Sequence, residues 1–158
     1  MRFTLIKDVK QDKAMKPLLN GLLIFIMLYI VFDLFVKEHT MGLTVQTVST
    51  TLFGNTKEFL DPMDLSVFLE FIHMQIFFLM MLLLTLSAVY LRLLYKKQNS
   101  LLIMNLVMLF GLLTPIILAF SYFYAPSFIS IYLLCFFGWH TFAFYMSIKS
   151  LWELNFAK

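Results

Sequence analysis

Four apolar blocks, each at least 20 residues long, restrict this chain to a narrow set of folds. They cover approximately residues 17–36, 65–91, 101–124 and 128–148. A nearly uncharged block of about 18 residues or more can cross the hydrocarbon layer of a membrane, about 30 Å thick, as one α-helix. We therefore predict an integral membrane protein with four transmembrane helices, in which residues 1–158 form a single membrane domain.

The composition and the residue pattern favour helices over a β-barrel. Hydrophobic residues make up 61% of the chain and charged residues 13%, whereas about a quarter of the residues in soluble domains are charged. Barrel strands alternate apolar and polar residues over segments of about ten, and IFFLMMLLLTLSAVYL (76–91) does not alternate. Because the backbone must hydrogen-bond within itself in lipid, we predict an all-α four-helix bundle in contact with the lipid bilayer.

The positions of the basic residues predict an orientation. Segments 1–16, 92–100 and 149–158 contain ten of the twelve Lys and Arg residues, and only Lys37 and Lys57 lie in the remaining connection. Lys and Arg close to span ends are retained on the cytoplasmic side. We therefore expect both termini in the cytoplasm of a multi-pass protein in a cell membrane, of the bacterial inner-membrane type.

The outer loop, residues 37–64, is the largest predicted connection. It either contains a short helix at the membrane surface, with Val45, Val48 and Leu52 on one apolar face and a turn at Gly54, or it is a plain flexible loop. At the end of the loop, DPMD (61–64) predicts a helix start, with Asp61 as the N-cap and Pro62 as the first helical residue.

Ionisable and amide side chains inside a span are costly enough to be functional candidates. Glu70 and His73 are three residues apart and therefore share one helix face. The residues that continue this face along the helix recur every 3.5 residues, as in the packing seam of a helical bundle. We therefore expect the pair to face the bundle interior, with Gln75 on the opposite side. The intramembrane polar candidates are Asp33, Glu70, His73, Asn105 and His140.

A bound transition metal or haem is one interpretation of these residues. Glu70 and His73 form half of the ligand set of a di-iron bundle, and the chain contains no second Glu-x-x-His pair. Haem needs two axial histidines at one level. His73 and His140 differ in predicted depth by roughly 15 Å, and His39 matches His73 only if the outer loop folds back.

A structural role is the alternative interpretation. In this case Glu70 and His73 form a hydrogen-bonded or ionic pair that orders the outer end of the bundle. His140 then hydrogen-bonds to a facing polar group such as Asn105 or Thr85.

Several functions are excluded, and three remain open. The chain has no phosphate loop, CxxC motif or HExxH motif, and its basic residues are already explained by the predicted orientation. We therefore expect neither an enzyme nor a nucleic-acid partner. The first open function is a subunit, accessory or sensor of a larger membrane assembly, with another membrane protein or a homo-oligomer as partner. The second is a haem- or metal-binding redox component that uses Glu70 and His73. The third is a small dimeric proton-coupled transporter in which Glu70 or Asp33 titrates.

Overall fold

The computed structural model describes residues 14–94, 97 and 99–156 of the chain. Within these ranges the elements are helical, and a 3₁₀ turn at Pro126–Phe128 connects the last two helices. The four longest helices are long and apolar enough to cross a membrane, which confirms the predicted all-α fold with four spans. In chain order the helices are α1 (Met15–Thr40), α2 (Val45–Phe53), α3 (Leu65–Leu94), α4 (Ser100–Phe123) and α5 (Ile129–Asn155).

Part of the orientation argument lies outside the described residues. This applies to the basic segment up to residue 13, to residues 95, 96 and 98 of the turn between α3 and α4, and to residues 157–158. The cytoplasmic location of both termini therefore stays a prediction. We call the end of the bundle that holds α2 the α2 end and the other the opposite end.

The last helix, α5, is the centre of the bundle. It packs against α1, α3 and α4 and also contacts α2, whereas α1 packs much more on α5 than on α3. Gly138 allows the close approach of α4, because a Cβ at this position would lie 3.1 Å from the ring of Phe110. The remaining long helices thus form an arc around α5 in the order α4, α3, α1.

The hydrophobic core has two clusters. One lies where the four long helices meet and contains Leu23, Leu86, Tyr90, Val107 and Ala143. The other lies at the α2 end, where α2 covers parts of α3, α4 and α5; its members include Val48, Leu52, Phe68, Leu118, Ile129, Tyr132 and Phe136. Burial of these side chains fixes α2 onto the bundle, since each fully buried large apolar side chain contributes about 1.5–3 kcal/mol.

The short helix expected in the outer loop is present as α2. Thr44 and Thr47 form a capping box, in which the side chain of each accepts a hydrogen bond from the backbone N–H of the other at 3.1 Å. Val48 and Leu52 are buried, and Val45 is exposed. Gly54 ends the helix at φ +77°, as a glycine C-cap can without steric cost.

The third helix begins later than the sequence predicts. Its first residue is Leu65, so the predicted start at Pro62 is wrong. The cause is Met63, whose backbone is held from two sides. Its N–H donates to the carbonyl of Leu52 at 3.3 Å, and its carbonyl accepts from the hydroxyl of Tyr122 at 2.9 Å. These bonds tie the connection to α2 and α4 and keep it out of the helix.

Candidate functional site

An aspartate–histidine pair joins α1 to α5 inside the bundle. Nε2 of His140 lies 3.0 Å from Oδ2 of Asp33, and Nδ1 of His140 lies 2.8 Å from the carbonyl oxygen of Phe136. Nδ1 therefore donates to the carbonyl, and the bond between Nε2 and Oδ2 holds one further proton.

This pairing replaces the partners that the sequence suggested for His140. Asn105 is exposed on α4, and the hydroxyl of Thr85 donates to the carbonyl of Met81 on its own helix at 2.7 Å. The predicted hydrogen bond of His140 to a facing polar group is thus present, but the partner is Asp33 and neither of the two examples. The error came from depth, because α1 extends to Thr40 and α5 to Asn155, well beyond the predicted span ends. Asp33 thus lies two turns from the end of α1 instead of one.

A cavity of about 250 Å³ adjoins the pair, and we call it the α1–α3 cleft. Its polar wall consists of Asp33, Lys37, Gln75 and Trp139, and the rest is apolar. Phe32, Val36, Met74 and Phe78 line its mouth and are exposed. The cleft therefore opens sideways between α1 and α3, toward the hydrocarbon that would surround these helices.

Two buried polar atoms in the wall of the cleft lack a hydrogen-bond partner among the described residues. They are Oε1 of Gln75 and Nε1 of Trp139. Such an unsatisfied group costs about 1–3 kcal/mol. The two atoms come from two different helices and are fully buried behind the wall of the cleft.

Lys37 brings a buried positive charge to the same wall. Lys37 is only 6% exposed, and its Nζ lies 3.9 Å from the ring centroid of Phe71. A desolvated cation–π contact contributes about 2 kcal/mol, less than the cost of burying a cation. We call Asp33, Lys37, Gln75, Trp139 and His140 the polar cluster.

Glu70 and His73 are not part of this cluster. Both are exposed on the outward face of α3, while Gln75 is 9% exposed and faces inward. The prediction that the pair faces the interior is therefore wrong. The seam that does pack into the bundle contains Phe68, Gln75, Leu79, Leu82, Leu86 and Tyr90. Both stripes repeat every three or four residues, and a lipid-facing stripe is as apolar as a buried one, so periodicity could not choose between them.

The predicted metal ligands do not form a group of three or more among the described residues. The part of the chain that the structure describes contains no group of three or more His, Cys, Asp or Glu side chains that could hold a metal. His39 is exposed at the end of α1, His73 is exposed on α3, and both ring nitrogens of His140 are engaged. Metal or haem binding by these residues stays a prediction and would need ligands from a second chain.

A second polar link between α1 and α5 lies at the opposite end. Asn20 and Asn155 exchange two amide hydrogen bonds, of 3.1 and 2.8 Å. The sequence contained a signal for this register. Asn20 precedes Asp33 by 13 residues and Asn155 follows His140 by 15, so the two pairs can match across antiparallel helices. Asn20, Asn155, Lys37 and Trp139 were not among the predicted site residues.

Comparison with known families gives a clear result. A family model named Aq_1264_TM, described as a transmembrane helical domain, matches residues 42–158. The chain belongs to the Aq_1264_TM family. The part that matches this transmembrane helical domain contains α2 to α5, with Gln75, Trp139 and His140, and Asp33 and Lys37 lie on α1 before it. Comparison with curated proteins and with solved structures found no match.

Proposed function

We propose that this member of the Aq_1264_TM family is a non-enzymatic subunit or accessory of a larger membrane assembly. The contact to the partner is the outward face of α3 that carries Glu70 and His73. The observation that carries the proposal is the exposure of these two ionisable side chains, one turn apart, with no hydrogen bond or ion pair to any other residue described.

The depth of the pair in the membrane supports this role. Between Glu70 and Arg92, α3 has no Asp, Glu, Lys or Arg, and residues 71–91 span about 32 Å at 1.5 Å per residue. This length matches the hydrocarbon layer of about 30 Å. Glu70 then lies at its edge and His73 about one turn inside it. Ionisable groups at such depth nearly always face protein, so a partner helix with a hydrogen-bonding side chain at this level would stabilise the pair.

Site-specific photo-crosslinking tests the proposal. A benzoylphenylalanine at Phe77, which is 52% exposed and one turn from His73, should give a cross-linked product in intact cells. The double replacement Glu70→Ala/His73→Ala should reduce the yield at least tenfold. The same probe at Leu134, 66% exposed on α5, is the matched control and should give little product.

The identity of the product decides between the possible assemblies. A product that contains a different membrane protein supports the subunit role. A product with twice the mass of the chain would replace it with a homo-oligomer. Monomer alone, both in cells and after extraction into native-lipid nanodiscs, would contradict the proposal.

A small dimeric proton-coupled transporter is the second candidate. The Asp33–His140 pair favours it, because a carboxyl and an imidazole that share one proton inside a bundle have the chemistry of a proton relay. This function would require uptake of a substrate that Asp33→Asn abolishes and that Glu58→Gln, a change at an exposed loop position, leaves intact.

A further inference from the structure

We propose that the α1–α3 cleft binds the carboxylate of a single-chain fatty acid, with the head at the polar cluster and the acyl tail in a groove between α1 and α3. This site is separate from the α3 face that contacts the partner, because Gln75 and the Glu70–His73 pair lie on opposite sides of the helix. The inference therefore does not depend on the subunit role.

The charge of the polar cluster selects an anionic head. Lys37 is buried, and Asp33 in the same wall is hydrogen-bonded to His140. A buried cation favours binding of an anion. Gln75 lies in the same wall, and its amide can present N–H groups to a ligand. The ammonium group of Lys37 and this amide together match the two oxygens of a carboxylate.

The route into the cleft selects a lipid. The mouth is lined by exposed apolar side chains, among them Phe32 and Phe78, and it opens to the side of the bundle. A ligand that enters here arrives from the hydrocarbon layer. A small soluble carboxylate would have to cross that layer first, so an acid that already partitions into the bilayer fits this opening better.

A second cavity supplies the place for the tail. It measures about 190 Å³ and lies next to the cleft along α1 and α3, because both cavities share Tyr29 and Phe78. Its lining is almost entirely apolar: Leu22, Phe25, Ile26, Tyr29, Phe78, Met81, Leu82 and Thr85. A polar pocket that continues into one narrow apolar groove suits an acid with a single chain and does not suit a phospholipid with two chains.

Quenching of Trp139 fluorescence tests the site. The chain has two tryptophans, so Trp152→Phe leaves Trp139 as the only reporter. The probe is a stearic acid with a nitroxide close to its carboxyl group, added to the protein in an uncharged detergent. We expect saturable quenching at one probe per chain, and weaker quenching by a stearic acid with the nitroxide at the end of its tail.

Competition identifies the head chemistry. Oleate should displace the probe at a concentration at least tenfold lower than oleyl alcohol, which has the same tail and no charge. Equal displacement by both would overturn the anionic head. Displacement by acetate as effective as that by oleate would overturn the lipid. Quenching that never saturates would overturn the cleft as a binding site.

Two matched pairs of variants separate head from tail. Lys37→Met should weaken probe binding at least tenfold, and Lys57→Met, at an exposed lysine in the connection between α2 and α3, should leave it unchanged. Thr85→Phe, which fills the tail groove, should weaken binding of stearate much more than binding of octanoate. If Lys37→Met fails to fold, Val36→Phe narrows the exposed mouth and should block binding by itself. Binding unaffected by Val36→Phe and Thr85→Phe would overturn the proposal.

Discussion

At the scale of single residues, two glycines show how strongly surroundings decide the effect of the same substitution. Gly54 has φ +77°, and a Cβ there would lie 2.6 Å from the carbonyl oxygen of Leu60 and 2.9 Å from the nitrogen of Pro62. Gly21 is a helical residue of α1 with no other atom within 4 Å of a Cβ position. The first is constrained by backbone that cannot rotate away, and the second is not constrained at all.

We expect Gly54→Ala to reduce the free energy of unfolding by about 1–3 kcal/mol, because a side chain in this conformation is strained and also clashes with backbone. Gly21→Ala should be neutral or raise it by up to about 1 kcal/mol through helix propensity. Thermal unfolding followed by circular dichroism in one detergent measures both variants. Equal stability of the two would show that the turn after α2 is not rigid.

At the scale of helices, α1 and α5 differ in how they are held. In the apolar window of α1 17% of the residues are buried, against 44% in the last span. α1 therefore gains little from apolar packing, and lipid contacts offer it nearly the same environment as protein contacts do. The Asp33–His140 and Asn20–Asn155 links are what give α1 a defined position and register on α5.

We expect Asp33→Leu to destabilise the protein by about 1–3 kcal/mol, since it leaves Nε2 of His140 buried without a partner. His140→Leu alone should have a similar effect, and the double variant should cost less than the sum, because both unpaired groups are then gone. Unfolding in mixed micelles measures this cycle. Strict additivity of the two single changes would show that the pair does not stabilise the bundle.

The sequence predicted which segments form helices better than it predicted which helix faces are buried and which helices pair. Length and hydropathy predicted the four spans, because spans follow from local chain composition. The spacing of apolar residues offered α2 only as one of two alternatives. The face of α3 could not be predicted in this way, since Glu70 and Gln75 are equally surrounded by apolar residues. The pairing of Asp33 with His140 depends on the neighbourhood of α1 and α5, which only the assembled fold defines.

At the scale of the whole molecule, the direction of the bundle in the membrane is the property most open to a direct test. In a Cys135→Ser background, a cysteine introduced at Lys57 in the outer loop should react with a membrane-impermeant maleimide on intact cells. A cysteine at Gln11 should react only after the cells are permeabilised. This result follows from the retention of lysine-rich segments in the cytoplasm. The reverse labelling pattern would invert the topology, and labelling of both sites would show that α1 does not cross the membrane.

The central position of α5 has a consequence for biosynthesis. This helix follows all the others in the chain, so α1, α3 and α4 emerge from the ribosome and enter the membrane before the helix that they pack against exists. During that interval Asp33 has no imidazole to share a proton with, and Asn20 has no amide partner. The early helices therefore lack their common packing partner until α5 has entered the membrane. A translation arrest anywhere before α5 should leave a chain that inserts but does not assemble, and that is open to quality-control proteases.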